Sequence, residues 1–350
     1  MDSRRRSIVA FLLVLMFVPG RVSLAVPARY TVVDLGTLEE GNSIVVRGLN
    51  NNGEATGASV SGHGHRGFVV ARGRIDRAGV RAGGDHSVVR GINDAGDIVG
   101  SANTLTAVRA FRASRGGALQ ELAPLPGDSA SEAFAVNTRG DTVGFSSGPA
   151  GVRAVRWTRA GAAQSLGVLP GGRDSRAFGI NDAGDAVGAA TTPTGRKHAV
   201  RWSGGSLVDL GTLPGDDDSE AFAINSSGDV VGASTGARGT HAVLWRGGTA
   251  LDLGTLADGA TSRALGINDR GDVVGTSAVG HGLHAFLWTS AEGLQDLNAL
   301  IPASSFVLME AVAVNARGAI LVIGRDGSDD DAHDHHEEFP VRVFLLEPQP

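Results

Sequence analysis

The clearest candidates for chemistry in this sequence stand near its C-terminus, in the stretch DGSDDDAHDHHEEF (326–339). Its candidate metal ligands are His333, Asp334, His335, His336 and Glu337. Imidazole nitrogens and carboxylate oxygens are ligands that Zn²⁺, Ni²⁺ and Cu²⁺ accept. One interpretation is therefore a divalent metal site; the other is a solvated acidic loop, which biased composition alone would also produce. We expect no required cofactor and no catalytic metal.

A second set of ionisable residues recurs along the chain. Basic residues start motifs such as HAVRW, and acidic residues lie in loops such as LPGDDDS. The basic candidates are His198, His241, His284, Arg109 and Arg153, and the acidic candidates are Asp174, Asp216, Asp217 and Asp218. One interpretation is that the two groups form structural ion pairs. The other is a ligand-binding surface, because sites are usually built from a few convergent polar groups.

No recognisable catalytic set stands elsewhere in the sequence. The chain has no cysteine, so it can form neither a disulfide nor a thiolate nucleophile. No Ser-His-Asp arrangement, nucleotide-binding loop or paired-carboxylate motif is evident, and turn chemistry explains the many Ser and Asp residues. The sequence therefore leaves the question of an enzyme open and favours a protein that is not one.

The phrase GINDAGDIVG (91–100) also combines groups that could hold a cation, and it returns at regular intervals. Its Asn recurs every 43 to 47 residues, as Asn50, Asn93, Asn137, Asn181, Asn225, Asn268 and Asn315. A Gly always stands three residues later, whereas the two residues between them vary, although a cation site would need oxygen ligands there. The pattern predicts a type I turn followed by a left-handed Gly, with the Asn side chain bonding backbone N–H groups.

Two further positions recur with this turn. An acid follows the Gly in six repeats, namely Glu54, Asp97, Asp141, Asp185, Asp229 and Asp272. We interpret it as a solvated or Arg-paired turn residue, with a weak cation-gathering ring as the alternative. A Trp ends another motif at Trp157, Trp202, Trp245 and Trp288. Aromatic residues at a fixed place predict packing between repeats; a sugar-stacking platform is the alternative and would require exposed rings.

The elements that must position these groups are short β-strands. One repeat contains four strand-like runs separated by turn residues: SRAFGIN (175–181), GDAVGAA (184–190), HAVRW (198–202) and LVDLGTL (207–213). A repeat of about 40–45 residues with four strands is typical of a β-propeller blade.

The two ends of the chain indicate how the repeats close. The sequence after residue 25 begins with a lone fourth strand (30–38) and ends with a third strand (341–347) that has no fourth after it. Joining them completes a seventh blade and leaves no open sheet edge. We therefore predict an all-β, seven-bladed β-propeller over residues 26–350, with four antiparallel strands per blade, the last blade being closed by the N-terminal strand. A β-solenoid is the alternative. The stretch 326–339 would be an insert in blade 7.

The motifs HAFLW, DLGTL and GIND-x-GDVVG at this spacing resemble those of the HAF-repeat family of extracellular bacterial repeat proteins. The resemblance spans nearly all of the chain after residue 25, although blades 1, 2 and 7 are degenerate. It implies secretion and a repeat fold. It implies no particular reaction and transfers no catalytic residues.

Residues 1–25 are typical of a secretory signal peptide, with a basic start, a short apolar run and Ser23-Leu24-Ala25 before the cleavage point. The apolar run is shorter than the roughly 20 residues that span a bilayer. We expect a secreted or periplasmic protein without a membrane span in its mature chain. The net charge of −6 provides no basic surface for nucleic acid.

We call the face that carries the loops between strands four and one, and between strands two and three, the loop-rich face. The basic and acidic candidates named above should lie on it. We expect an exported, monomeric, non-enzymatic scaffold that binds a protein, glycan or small molecule through this face. The alternatives are an extracellular propeller lyase or hydrolase, and a structural component of the cell envelope or matrix.

Overall fold

The structure is a computed structural model that describes residues 28–36, 43–61, 64–71, 73–78, 86–104, 106–115, 117–257, 259–326 and 341–349. The predicted signal peptide (1–25) and all five candidate metal ligands of the His-rich insert lie outside the described residues. Apart from one 3₁₀ turn (Leu297–Ala299), the regular structure of these ranges is β-strand. None of the described helical structure is long and apolar enough to cross a membrane.

The strands form seven four-stranded antiparallel sheets, which we number as blades 1 to 7. The strand that begins the described chain is β1 (Tyr30–Asp34). Blade 1 contains β2 (Ser43–Leu49), β3 (Ala55–Ser61), β4 (Gly64–Ala71) and β5 (Arg74–Arg77). Blade 2 contains β6 (Ser87–Ile92), β7 (Ile98–Asn103), β8 (Val108–Ala113) and β9 (Leu119–Leu122). Blade 3 contains β10 (Ala130–Val136), β11 (Thr142–Gly148), β12 (Gly151–Trp157) and β13 (Ala163–Ser165).

The remaining blades follow in the same order. Blade 4 contains β14 (Ser175–Ile180), β15 (Ala186–Thr191), β16 (Lys197–Ser203) and β17 (Ser206–Gly211). Blade 5 contains β18 (Asp216–Ile224), β19 (Val230–Gly236), β20 (Gly239–Arg246) and β21 (Thr249–Gly254). Blade 6 contains β22 (Ser262–Ile267), β23 (Val273–Val279), β24 (Gly282–Thr289) and β25 (Gly293–Asp296). Blade 7 contains β26 (Phe306–Val314), β27 (Ile320–Asp326), β28 (Arg342–Pro348) and β1.

Blade 7 joins the two ends of the chain. Strand β1 pairs antiparallel with β28, from Tyr30 opposite Pro348 to Asp34 opposite Phe344. The first strand of each blade contacts the first strands of its two neighbours, and β2 of blade 1 contacts β26 of blade 7. The prediction of a closed seven-bladed ring is therefore confirmed, with the first strands around the axis and the fourth strands at the rim.

The hydrophobic core is divided into seven clusters, one at each junction between neighbouring blades. Trp202, for example, packs against Val143 and Ala154 of the preceding blade. Trp157, Trp202 and Trp245 are buried, and Trp288 is half-buried against the junction of blades 5 and 6. These positions confirm packing between blades and do not supply the exposed rings that a sugar platform would need.

A buried serine connects neighbouring blades at the start of most first strands. In blade 5, the Ser219 hydroxyl accepts the backbone N–H of Ala199 (2.8 Å) and donates to the carbonyl of Gly211 (2.7 Å), both in blade 4. The equivalent accepting serines of the other blades are Ser87, Ser131, Ser175 and Ser262. Each of these hydroxyls satisfies backbone groups that burial at the junction would otherwise leave unpaired.

Candidate functional site

The recurring Asn turn is a structural device that acts within and between blades. In every repeat the Asn side-chain oxygen accepts the backbone N–H four residues later, at 2.9–3.0 Å. The Gly three residues after the Asn has φ between +78° and +89°, where a side chain would be strained. The predicted turn is thus confirmed.

The Asn side chains also form a closed ring of hydrogen bonds that sequence reasoning missed. Each side-chain nitrogen donates to the backbone carbonyl of the equivalent Asn in the next blade, at 2.9–3.2 Å, through all seven blades. All seven residues are buried. Because both ends of each amide are occupied, the recurring phrase GINDAGDIVG provides no free cation ligand at its Asn.

The acids that follow the Gly are engaged as well. Asp141, Asp185 and Asp229 each accept a hydrogen bond from an arginine on the third strand of their own blade. The guanidinium nitrogen and the carboxylate oxygen are 2.6–2.7 Å apart. Burial opposes ionisation of Asp185, but hydrogen bonds from Ser203 and Arg201, with the charge of Arg201, outweigh it and lower the pKa of this carboxyl. Within the described residues no cluster of three or more His, Asp or Glu side chains could hold a metal ion. The Arg-paired interpretation is therefore the one that the geometry favours.

On the loop-rich face, three histidines pair with the acid of the fourth strand in their own blade. The Nδ1 atoms of His198, His241 and His284 lie 2.8, 2.9 and 2.7 Å from carboxylate oxygens of the paired acids. These acids are Asp209, Asp252 and Asp296. Arginine replaces histidine in the same pattern in blade 2, where Arg109 Nε lies 3.2 Å from Glu121 Oε1.

The acidic loops are therefore not the main partners of the basic strand starts. Arg153 pairs with Asp128 of such a loop at 2.7 Å, and Arg109 also donates a hydrogen bond to the backbone carbonyl of Ser129 in the same loop. Asp174 accepts the backbone N–H of Val152 (2.8 Å), and Asp216 accepts the hydroxyl of Ser234 (2.8 Å). Asp217 and Asp218 both pair with Arg196, at 3.2 and 3.3 Å.

The structure does not bring these candidates together into one site. Each His–Asp pair joins the third and fourth strands of a single blade, in the outer half of the ring, and the pairs repeat in blades 4, 5 and 6. The acidic loops lie at separate junctions between blades. The loop-rich face thus carries a repeated array of paired ionisable side chains, and no three of the candidates converge.

The side chains that do converge lie on the ring axis. The first strand of every blade has a register shift that leaves unpaired the residue three before the Asn. Such β-bulges re-aim a side chain, and all seven of these side chains line one axial cavity with a volume of about 450 Å³. In blade 4 the bulge residue is Phe178. The strand opposite the bulge carries Gly188, where an added Cβ would lie 1.9 Å from the carbonyl oxygen of Arg176, which is too close for any side chain.

The axial cavity differs from one side to the other. Blades 3, 4 and 5 contribute Phe134, Phe178 and Phe222, whereas blades 1 and 2 contribute Arg47 and Arg90. Blades 6 and 7 contribute Leu265 and Val312, with Arg263 and Glu310 two residues before them. Sequence reasoning missed this site, although its signal was present: the residue three before the recurring Asn changes type around the ring.

No protein-family model and no curated protein matches this sequence. The resemblance to HAF-repeat proteins consequently stays a prediction. Solved structures do match, and they include a β-propeller domain. The propeller domain of the Trilobed protease from Pyrococcus furiosus, described as having an open velcro topology, has a TM-score of 0.56 and 8% identity, with 88% of this chain and 96% of that one covered. Unlike that description, the present ring is closed by β1.

Two larger peptidases match in the same way. An acylaminoacyl peptidase of Pyrococcus horikoshii has a TM-score of 0.53 and 12% identity, and the match covers 89% of this chain and 52% of that one. A prolyl endopeptidase has a TM-score of 0.52 and 9% identity over 86% of this chain and 47% of that one. The chain thus spans about half the length of these enzymes. At such low identity the likeness shows the fold alone: a seven-bladed β-propeller.

Proposed function

We propose that this protein is an exported, non-enzymatic β-propeller that binds a partner through its loop-rich face and its axial cavity. One observation supports the proposal above the others: ionisable side chains repeat as separate pairs from blade to blade, while the side chains that differ between blades meet on the axis. Catalysis needs a nucleophile and a general acid or base held around one reacting atom, whereas the axial lining consists mostly of apolar and arginine side chains with a single acid. Binding needs a concave surface with a few distinctive contacts, which the axis offers.

Export is supported by the sequence of residues 1–25, whose basic start, apolar run and small residues are typical of a secretory signal. The absence of cysteine does not conflict with it, because the closed ring and its seven junction cores stabilise the fold without disulfides. Cell fractionation of a tagged full-length chain tests this part. Accumulation of an uncleaved protein in the cytoplasm would contradict it.

An enzyme is the second candidate, because a carboxylate bound to Nδ1 of a histidine is how hydrolytic enzymes orient a general base. His284 and Asp296 have that geometry at 2.7 Å. However, within the described part of the chain no Ser or Thr hydroxyl is hydrogen-bonded to His198, His241 or His284. Three equivalent pairs in three blades are also better explained as hydrogen-bonded pairs that join the third and fourth strands.

The deciding experiment measures binding and turnover on the same proteins. A glycan array, a small-molecule thermal-shift panel and a divalent-metal titration are applied to the wild type, to the triple variant His198→Gln, His241→Gln, His284→Gln, and to a variant lacking residues 327–339. The proposal expects saturable binding without turnover in all folded proteins. Esterase, peptidase or polysaccharide-cleaving turnover that the triple variant abolishes would overturn it.

A further inference from the structure

We propose that the axial cavity binds a small aromatic carboxylate, with the ring of the ligand against the Phe wall and its carboxylate facing the arginines. This inference rests on the proposed function, since it names the ligand class of a binding propeller. The cavity volume of about 450 Å³ falls within the roughly 300–1,000 Å³ of small-molecule sites.

The Phe wall is formed by Phe134, Phe178 and Phe222, which three consecutive blades place side by side. The ring centroids of Phe134 and Phe178 are 5.3 Å apart in an edge-to-face arrangement, and those of Phe178 and Phe222 are 6.1 Å apart. All three residues are only half-buried. Their β-bulges turn them away from the blade junctions, so their free faces and edges can contact an aromatic ring.

The opposite side of the cavity is cationic. The lining contains three arginines, Arg47, Arg90 and Arg263, and a single acid, Glu310, and a positive formal charge of +1 remains when Glu132, the partner of Arg90, is also counted. The chain as a whole carries −6. A local positive site in an acidic protein selects an anion, because the surrounding charge repels it everywhere else.

The three arginines differ in how much of their binding capacity is already used. Arg90 donates to Glu132 at 2.9 Å and lies 4.7 Å over the ring of Phe134, so it is held in place. Arg47 is half-exposed, and its closest acid is Glu310 at 4.0 Å. The guanidinium of Arg263 has no hydrogen bond or ion pair to any described residue. Arg263 and Arg47 therefore keep donors for a carboxylate, which guanidinium recognises through two parallel hydrogen bonds.

The experiment titrates the folded mature protein with 2-naphthoate by isothermal calorimetry. The uncharged 2-naphthylmethanol and the non-aromatic acetate serve as ligand controls. We expect saturable 1:1 binding of 2-naphthoate and at least tenfold weaker binding of both controls. Arg263→Gln and Phe178→Ala should each weaken 2-naphthoate binding by about tenfold, whereas Arg238→Gln, on an exposed loop arginine outside the cavity, should leave it unchanged.

The outcomes separate this inference from the proposed function. Binding that neither cavity variant weakens, or equal binding of the alcohol, would overturn the aromatic-carboxylate site. So would equal binding of acetate or of inorganic phosphate, which would indicate an anion site without an aromatic requirement. If a cavity variant fails to fold, Arg47→Gln provides the same test at an exposed position. None of these results bears on whether another ligand binds, which the glycan and thermal-shift panels measure.

Discussion

The side-chain nitrogen of Asn315 donates to the backbone carbonyl of Asn50 at 3.1 Å, although 265 residues separate them. This bond is the seventh of the Asn ring and the one that connects the last repeat to the first. It lies next to the axis, while the pairing of β1 with β28 closes the same blade at the rim. The ring is therefore closed twice, by a side-chain bond at its centre and by a strand at its edge.

Asn225→Ala tests the contribution of one member of the Asn ring. The change removes the bond to the carbonyl of Asn268 (3.2 Å) and the bond from the backbone N–H of Asp229 (2.9 Å). We expect a loss of about 1–3 kcal/mol for each buried group left unpaired, measured by denaturant unfolding. Ser226→Ala in the same turn removes no side-chain bond within the described residues and should be neutral. Equal stability of the two variants would contradict a structural role of the ring.

Deleting residues 28–36 from a chain that starts at residue 28 tests closure at the rim. The deletion removes β1, exposes the edge of β28 and uncovers Leu346, which is fully buried. We expect the midpoint of thermal unfolding to fall by several degrees, since each kcal/mol shifts a domain of 150–250 residues by about 2–4 °C. The chain starting at residue 28 is the control. An unchanged midpoint would show that the strand does not stabilise the ring.

Asp185 gives the fold a predictable response to acid. Its pKa is lowered in the folded state, where the hydrogen bonds of Ser203 and Arg201 outweigh burial. A depressed pKa contributes stability that is present above the unfolded-state value, about 3.9, and is lost as pH falls through the folded-state value. Asp185→Asn should therefore lower stability at pH 7 and reduce the further loss between pH 5 and pH 3. Asp217→Asn, at an exposed position near the start of β18, is the control, and an identical acid response of both variants would contradict this prediction.

The sequence predicts those parts of the structure that depend on local sequence pattern. It does not predict contacts that depend on how neighbouring blades are placed. The turn at Asn93 and Gly96 depends only on residues close in sequence, and its prediction was confirmed. The reach of the Asn93 amide to the carbonyl of Asn137 depends on how closely two blades approach, which only the closed ring determines. In the sequence, Phe178 looks like one residue of a regular alternating strand, because a pattern of period two does not reveal a β-bulge.

Among the candidate binding residues, too, the sequence predicted that a pair would form but not which residue would be the partner. The pairing of His198 could be anticipated as an interaction with some acid, but its partner is Asp209 of the adjacent strand and not the neighbouring acidic loop. The sequence pattern pointed to an acidic loop as the partner, whereas in the structure β17, which carries Asp209, pairs with β16. Register is fixed by packing of the whole blade, so residue types alone could not identify the partner.

The junction between blades 1 and 2 lacks the Trp that packs at four other junctions. At the position of Trp202 in blade 4, blade 2 has Ala113, as the pairing of Ala113 with Ile98 and of Trp202 with Ala186 shows. A cavity of about 380 Å³ lies there, lined in part by Ala113, Ile98 and Leu119. Among the described residues this junction has the smallest buried cluster, as expected where the indole is missing.

Ala113→Trp should fill this cavity and stabilise the protein. An unpaired indole nitrogen is tolerated at the equivalent site, since Nε1 of Trp202 has no hydrogen-bond partner among the described residues. Filling a cavity typically adds about 0.5–2 kcal/mol, which denaturant unfolding would detect as a higher midpoint with an unchanged slope. Ala110→Trp is the matched control: Ala110 is fully buried in a packed cluster, so the larger side chain must strain its neighbours and destabilise the fold. Destabilisation of equal size in both variants would mean that the space beside Ala113 cannot accommodate an indole, and that the blades meet differently at this junction.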